Sequence, residues 1–477
     1  MGRFQIAGLG LAVSVCICAG CSRDVSDPFA LAPATPYSTW TPMKGGGLVS
    51  SRYCNTVLPP MFESSALSIA EIIDITLQNN PSTRQTWALA RSAAAQYGQS
   101  LSPFYPNIGF DGSYLRSKGT FVDFTSPVAF YATQAGPDMT LSLTLFDFGQ
   151  RTSNALAARE ALYYADLNHN QEIQNVIQQT MDDAYQYLFT LAVLRANEAN
   201  LENAQMSLDA ANQRFSLGLA ALGDVAQART QFLQSKINLT TQKQNVEDAF
   251  ARLATDMGLP ASLKFKVQQL PEQVSADPLI ASVDQLVSDA QAQRQDFLAA
   301  LANMRSKEAL LLKAKRATLP VLDSSFDVGH YWFQGGVQEP DIHWSMTFSL
   351  TFPIFNGFYY TNGVKAAQAN LEASQAELLK TELSVVEQVT TAHMGVQTAA
   401  MNLGDSYEYL KAAELEFQIA MTSYKAGTAT ILDVMSAQSS LADARSKKAK
   451  AQKDWFASLA AIAHATGALC STPDEGR

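Results

Sequence analysis

The stretch Ile342–Pro353 reads I-H-W-S-M-T-F-S-L-T-F-P. Every even position from Ile342 to Phe352 is apolar, and the odd positions are His343, Ser345, Thr347, Ser349 and Thr351. An unbroken period of two marks a β-strand, whose successive side chains point to opposite faces. A soluble sandwich also produces such alternation. Here, however, the polar face holds only small hydroxyls and one imidazole. A membrane-crossing barrel strand needs about 9–11 residues, apolar outside and polar toward the lumen. The stretch meets both requirements.

Three further segments alternate. In Asn107–Tyr114 the apolar residues are Ile108, Phe110 and Tyr114, and Asn107, Asp111 and Ser113 oppose them. Met139–Leu145 sets Thr140, Ser142 and Thr144 on its polar side, and Ser325–Phe333 alternates more weakly through Phe326, Val328 and Trp332. Residues 119–137 are rich in Gly, Pro and aromatics and read as a loop.

Between the strands the sequence is helical. Ser68 and Glu71 form a capping box for a helix running to about Leu101, interrupted near Pro81. No proline occurs from Gly149 to Leu259, and Ile173, Ile177, Thr180, Ala184, Leu188 and Leu191 keep helical spacing. The helix predicted from about 150 to Phe215 is about 100 Å long at a rise of 1.5 Å per residue. Gly218 and Gly223 turn the chain into a return helix ending near Met257. A mixed segment follows, then a helix over about 284–317, the strand pair, a second rod from about 358 to Tyr424, a turn at Gly427 and a last helix to about Thr466.

The order helix–strand–strand–rod–turn–helix thus occurs twice. Ser142-Leu143-Thr144 repeats as Ser349-Leu350-Thr351. Phe215, Gly218, Leu222, Asp224-Val225 and Ala228 recur at a constant offset as Tyr424, Gly427, Ile431, Asp433-Val434 and Ala437. This is an internal duplication. It divides the chain into 67–257 and 284–467, with a linker at 258–283 and a tail at 468–477. Four strands cannot close a barrel, and an open edge in lipid strands unpaired backbone groups. Two, three or four copies would supply eight, twelve or sixteen strands. The rods carry too many polar residues to lie in lipid, so they project into the periplasm.

Composition narrows the function. The 477 residues are 16% charged with a formal net charge of −10, which argues against a nucleic-acid surface. No glycine-rich phosphate loop follows a strand. His169, His330, His343, His393 and His464 are scattered without metal-ligand spacing. No catalytic order of Ser, His, Asp or Cys stands out, so neither an enzyme nor a cofactor is expected. Tyr331, Trp332, Trp344, Tyr359 and Tyr360 read either as a membrane-interface belt or as core packing.

Residues 1–20 read as a signal peptide: Arg3, then a short apolar core to Ile17. The end Cys18-Ala19-Gly20-Cys21 resembles a bacterial lipoprotein processing site, with Cys18 in place of the usual Leu. Cys21 is then the acylated first residue, and Ser22 after it implies sorting to the outer membrane. Residues 21–66, with six prolines and Gly45-Gly46-Gly47, form an extended tether. Cys54 and Cys470 remain in an oxidising compartment, one before the first helix and one after the last. They suggest a disulfide, the alternative being two separate thiols.

The paired strands, the rods and the turns Phe215-x-x-Gly218…Leu222-x-Asp224-Val225 and Tyr424-x-x-Gly427-Thr428…Ile431-Leu432-Asp433-Val434 resemble the TolC-type outer-membrane efflux protein family, lipidated branch, over residues 67–467. The resemblance implies an α+β membrane protein with four transmembrane strands per chain. Three chains form a homotrimer with a twelve-stranded β-barrel, continued by a long periplasmic α-helical barrel. It implies an exit duct working with a periplasmic adaptor and an inner-membrane pump. The turns holding Gly218, Leu219, Gly427 and Thr428 would dock the adaptor. Asp224, Tyr424 and Asp433 would form a periplasmic gate, Tyr424 bonding to Asp224 and Asp433 joining an acidic ring. Two positions depart from the pattern: Ala429 where an arginine is expected, and Ser436 where a second acid is expected. Asp433 also fits a local role, as the acid of the capping box that Thr430 opens. The rival to a channel is a periplasmic adaptor or scaffold lipoprotein, which has no use for duplicated strands with apolar faces.

Overall fold

The computed structural model describes residues 35–38, 66–123, 126–271, 274, 282–334 and 342–470. Cys21, Cys54 and the Cys470 side chain lie outside the described residues, as do most of the tether and the tail. In chain order the elements are β1 (Ala66–Leu67), α1 (Ile69–Asn79), α2 (Pro81–Leu101), β2 (Asn107–Asp123), β3 (Ser126–Phe146), α3 (Gln150–Ser216), α4 (Leu222–Asp256), β4 (Lys266–Val267), α5 (Val283–Gln293), α6 (Gln295–Arg316), β5 (Val321–His330), β6 (Trp332–Gln334), β7 (Ile342–Thr351), α7 (Tyr359–Ala426) and α8 (Ile431–Ala465). Two short 3-10 turns complete the list, at Ser102–Phe104 and Ala468–Cys470. The described residues fall into two compact units, one taking 89–166 and 299–379 and the other the remainder.

The first unit is built on an antiparallel sheet in the order β2-β3-β5-β7, with β6 also paired to β3. The period-two stretch forms β7, which lies on one edge, and β2 lies on the other. Register joins Phe110, Met139, Val328 and Trp344 in one row and Ile108, Leu141, Phe326 and Met346 in the next. These rows make an apolar face. Ile342, Trp344, Met346, Phe348 and Leu350 are each between 58% and 70% exposed in the single chain. So large a bare apolar face is costly in water and is what lipid would cover.

Residues 119–123 and 126–137 are strand, not loop. β2 and β3 pair residue by residue from Asn107–Ser142 to Asp123–Ser126. The glycines and prolines were misleading because the hairpin ladder absorbs them. Gly136 and Pro137 fall where β3 passes from β6 to β5. A Cβ at Gly136 would lie 1.9 Å from the His330 carbonyl, so this glycine permits a close backbone approach. At the foot of the sheet Arg151 pairs with Asp147 at 3.3 Å and donates to the Thr144 and Pro103 carbonyls. Arg316 donates to the Gly149 carbonyl and Ser153 Oγ.

The second unit is helical apart from a short parallel pair. Ser68 caps α1 in the expected box with Glu71, and Pro81 starts α2 where its missing N–H costs nothing. α3 and α7 run for 67 and 68 residues as single helices. The helical stripe predicted on α3 faces inward: Ile173, Ile177, Thr180, Ala184 and Leu188 are buried and Leu191 is half-buried. β1 pairs with β4 through Ala66–Lys266 and Leu67–Val267, so the junction of tether and first repeat forms a small sheet with the expected linker. It lies over a core of Ile72, Ile75, Leu188, Phe250, Leu253 and Met257. A second core gathers Ala210, Ala211, Ala228, Phe417, Met421, Tyr424, Ile431 and Val434 around the two turns. Alanines are half of the buried residues of this second core, and small side chains let helices approach closely. No helix among the described residues is long and apolar enough to cross a membrane.

Candidate functional site

Two places carry side chains that function could use: the polar face of the sheet and the turns between the long helices.

The polar face follows from the same period of two. One row reads Asp111, Asp138, Gly329, His343, and the next Gly109, Thr140, Asp327, Ser345. Then come Asn107, Ser142, Ser325 and Thr347, and below them Thr144, Asp323 and Ser349. Thr140 Oγ1 donates to Asp327 at 2.8 Å and Thr144 Oγ1 to Asp323 at 2.7 Å, so these side chains share the face. His343 Nε2 lies 3.8 Å from Asp138. These rows hold four carboxylates and no lysine or arginine. The period-two reading identified the hydroxyls of this face. The acids Asp323 and Asp327 emerge only once register sets β5 between β3 and β7.

At the turns, Gly218 has φ +75° and Gly427 φ +84°, left-handed values that favour glycine. Each closes its helix with the same pair of bonds. Gly218 N donates to the Phe215 carbonyl and Leu219 N to the Arg214 carbonyl. Gly427 N donates to the Tyr424 carbonyl and Thr428 N to the Ser423 carbonyl. These are Schellman closures, which satisfy carbonyls a helix end otherwise leaves free. Leu217, Leu219, Leu222 and Leu432 are exposed around them.

Of the expected gate residues, Tyr424 and Asp224 come within electrostatic reach of each other, but not in the expected bond. Tyr424 is buried, and its hydroxyl has no hydrogen-bond partner. Asp224 instead turns back to its own helix start, accepting from Ala221 N at 3.4 Å. A carboxylate three residues into a helix finds the free N–H groups of the first turn nearer than a side chain on another helix. Burial raises the Tyr424 pKa, the Asp224 charge adds to the rise, and Arg214 opposes it. Asp433 forms the complete capping box: it accepts from Thr430 N and Thr430 Oγ1 at 2.8 Å, and Thr430 Oγ1 accepts from Asp433 N. Those Thr430 bonds hold the Asp433 carboxyl below its ordinary pKa.

Sequence reasoning did not single out Arg214. Its guanidinium donates to the Tyr424 carbonyl, donates to the Leu219 carbonyl at 3.3 Å, and lies 4.7 Å from the Tyr424 ring centre. The repeat alignment held the signal: Arg214 matches Ser423, so only one of two equivalent positions is charged. His330 and His343 fall in adjacent register positions of the paired strands β5 and β7. His169 is buried between Thr86 Oγ1 and the Ser38 carbonyl, and burial lowers its pKa to about 4. His464 lies 3.0 Å from Asn175 Oδ1.

The sequence matches the family described as outer membrane efflux protein over residues 72–259 and 286–468, one match for each repeat. Among curated relatives, the outer membrane protein TolC of Escherichia coli strain K12 is 23% identical, over 85% of this chain and 83% of that one. The pyoverdine export outer membrane protein OpmQ of Pseudomonas putida is 26% identical, over 94% of each chain. The solved structure of VceC from Vibrio cholerae superposes with a TM-score of 0.74 at 18% identity, covering 84% of this chain and 96% of that one. The fold class is therefore the expected one: four strands per chain belonging to a β-barrel, long helices belonging to an α-helical barrel, and an internal duplication. The adaptor or scaffold reading falls away. The chain belongs to the outer membrane efflux protein family and is an outer-membrane channel for efflux, with its long helices on the periplasmic side.

Proposed function

We propose that the chain forms a homotrimer serving as the passive exit duct of a three-part export machine, gated at its helical tips. One observation carries this reading: a sheet whose main path runs β2-β3-β5-β7, with an exposed apolar face, a polar opposite face and, among the described residues, unpaired edges at β2 and β7. In lipid each unpaired backbone group costs several kcal/mol, so the edges must close on other copies. Three copies make twelve strands, apolar face outward. The chain supplies no energy of its own, so a periplasmic adaptor and an inner-membrane pump are its partners. The turns at Gly218, Leu219, Gly427 and Thr428 receive the adaptor, and the exposed leucines around them give it an apolar footing. Asp224, Tyr424 and Asp433 lie at the closing point. Cys21 carries the lipid after residues 1–20 are removed, residues 21–66 tether it, and Cys54 bridges to Cys470.

The polar face then lines the lumen. Asp111, Asp138, Asp323 and Asp327 give each copy four carboxylates there, and rings of acid favour cations. Light scattering of the detergent-solubilised protein should give the mass of three chains; two or four would overturn the trimer. Planar-bilayer recording should show a cation-preferring conductance that weakens in Asp323→Asn/Asp327→Asn. A change of conductance in Asp433→Ala places that residue at the constriction, whereas an unchanged conductance leaves it a helix cap.

A further inference from the structure

We propose that Arg214 is the positioning residue that fastens the two tip hairpins of each chain together, and so limits how far the tip opens. The proposal rests on the reading of the tips as a gate. Two carbonyls at the ends of different helices accept from this guanidinium. One is Leu219 O, in the turn that follows its own helix α3. The other is Tyr424 O, in the last turn of α7, 210 residues away. The last carbonyls of a helix carry partial negative charge and lack helical partners, so a cation there is stabilising. Arg214 therefore caps the helix of the other repeat as well as its own turn. The Tyr424 ring lies under the guanidinium, 4.7 Å from centre to carbon, adding a cation–π contact. A Cβ built on Gly427 would lie 3.6 Å from Arg214 Nη1, so the second turn presents its barest face to this side chain.

Among the described residues there is no reciprocal fastening. The matching position in the second repeat is Ser423, whose short side chain carries no charge and cannot span two helix ends. The arginine expected two residues after Gly427 is Ala429. The Tyr424 hydroxyl, the other expected link, is unpartnered. Among the described residues, what joins the hairpins through polar bonds at the turns is thus this one forked donor. Only a planar fork can donate to two carbonyls and stack on a ring at once, so lysine is a poor substitute.

The test is single-channel conductance of Arg214→Ala and Arg214→Lys beside the unsubstituted protein and Asp433→Ala, with amide hydrogen exchange of residues 217–221 and 424–428. Arg214→Ala should raise conductance several-fold and speed exchange in both turns; Arg214→Lys should fall between it and the unsubstituted protein. Faster exchange in Arg214→Ala without a change of conductance, while Asp433→Ala does change it, would make Arg214 a turn-stabilising residue only. That outcome overturns the fastening and keeps the gate. Conductance indifferent to all three substitutions would overturn the gate, and the fastening with it. If Arg214→Ala does not assemble, Arg214→Lys decides on the same terms.

Discussion

Leu219 and Thr428 occupy matching positions in the two repeats, and their backbone N–H groups close their helices at 2.8 Å and 2.9 Å. The turn backbones are alike and their surroundings are not. Beyond the second turn Ile431 is 3% exposed; its counterpart Leu222, beyond the first, is 66% exposed. Tyr424 is buried and Phe215 exposed. The second helix start has Thr430 as a full cap, whereas Ala221 offers the first no side chain. One tip has the packing and the full cap, and the other is the exposed one. A rigid tip beside a weakly held one suits a gate, since moving elements are drawn from the least stable parts of a fold.

The largest expected difference lies in the packing. Ile431→Ala removes a buried side chain from the core around the turns and should cost about 2–5 kcal/mol. Leu222→Ala should leave stability nearly unchanged and instead weaken binding to a periplasmic adaptor. Denaturant unfolding in detergent reads the first effect and co-purification with an adaptor the second. Equal destabilisation by both substitutions would break the contrast between the tips.

Capping comes next. Thr430→Ala should cost about 1 kcal/mol, the usual loss for a Thr cap. Ala221→Thr should recover part of that amount at the first tip, because Asp224 already sits three residues on to complete a box. Hydrogen exchange at 431–434 and 222–225 would show both changes. A cap at 221 that slowed exchange without lowering conductance would separate the stiffness of the first tip from opening.

Much of this was legible in the sequence, for reasons that also explain what was not. Periods of 2 and 3.6 are local, so β7, the long helices and the duplication could be read directly. The Thr430–Asp433 box spans three residues and was equally plain. The β2–β3 pairing beyond Tyr114 is hidden because Gly119, Gly136 and Pro137 usually punctuate strands, and only the long-range ladder shows that Gly119 faces Phe130 and that Gly136 and Pro137 fall where β3 passes from β6 to β5. Arg214 depends on a carbonyl 210 residues away. Within its own helix it is an ordinary last-turn cation. The absence of the Tyr424–Asp224 bond likewise depends on competition with Ala221 N, which no spacing rule ranks.

Acid should affect the second tip through Asp433. Its pKa is depressed when folded, by Thr430 N–H and Thr430 Oγ1. A depressed carboxyl contributes stability above its unfolded pKa and loses it as pH falls through the folded value. The start of α8 should therefore loosen only at acid pH, below the ordinary carboxylate range. Hydrogen exchange at 431–434 should lose its acid dependence in Asp433→Asn. Acid dependence that survived that substitution would assign the loosening to another group.

The smallest expected effect is that of Tyr424→Phe. The Tyr424 hydroxyl is buried without a partner, and an unmade buried bond is a cost rather than a support. Deleting it keeps the ring under Arg214 and the carbonyl that Arg214 holds. Stability should stay the same or rise slightly, and conductance should not change. An increase in conductance would mean that the hydroxyl bonds in the assembled channel, with Asp224, whose charge helps raise the Tyr424 pKa, as the acceptor. The first tip would then be held by two links rather than one, and Tyr424→Phe combined with Arg214→Lys should open the channel further than either alone.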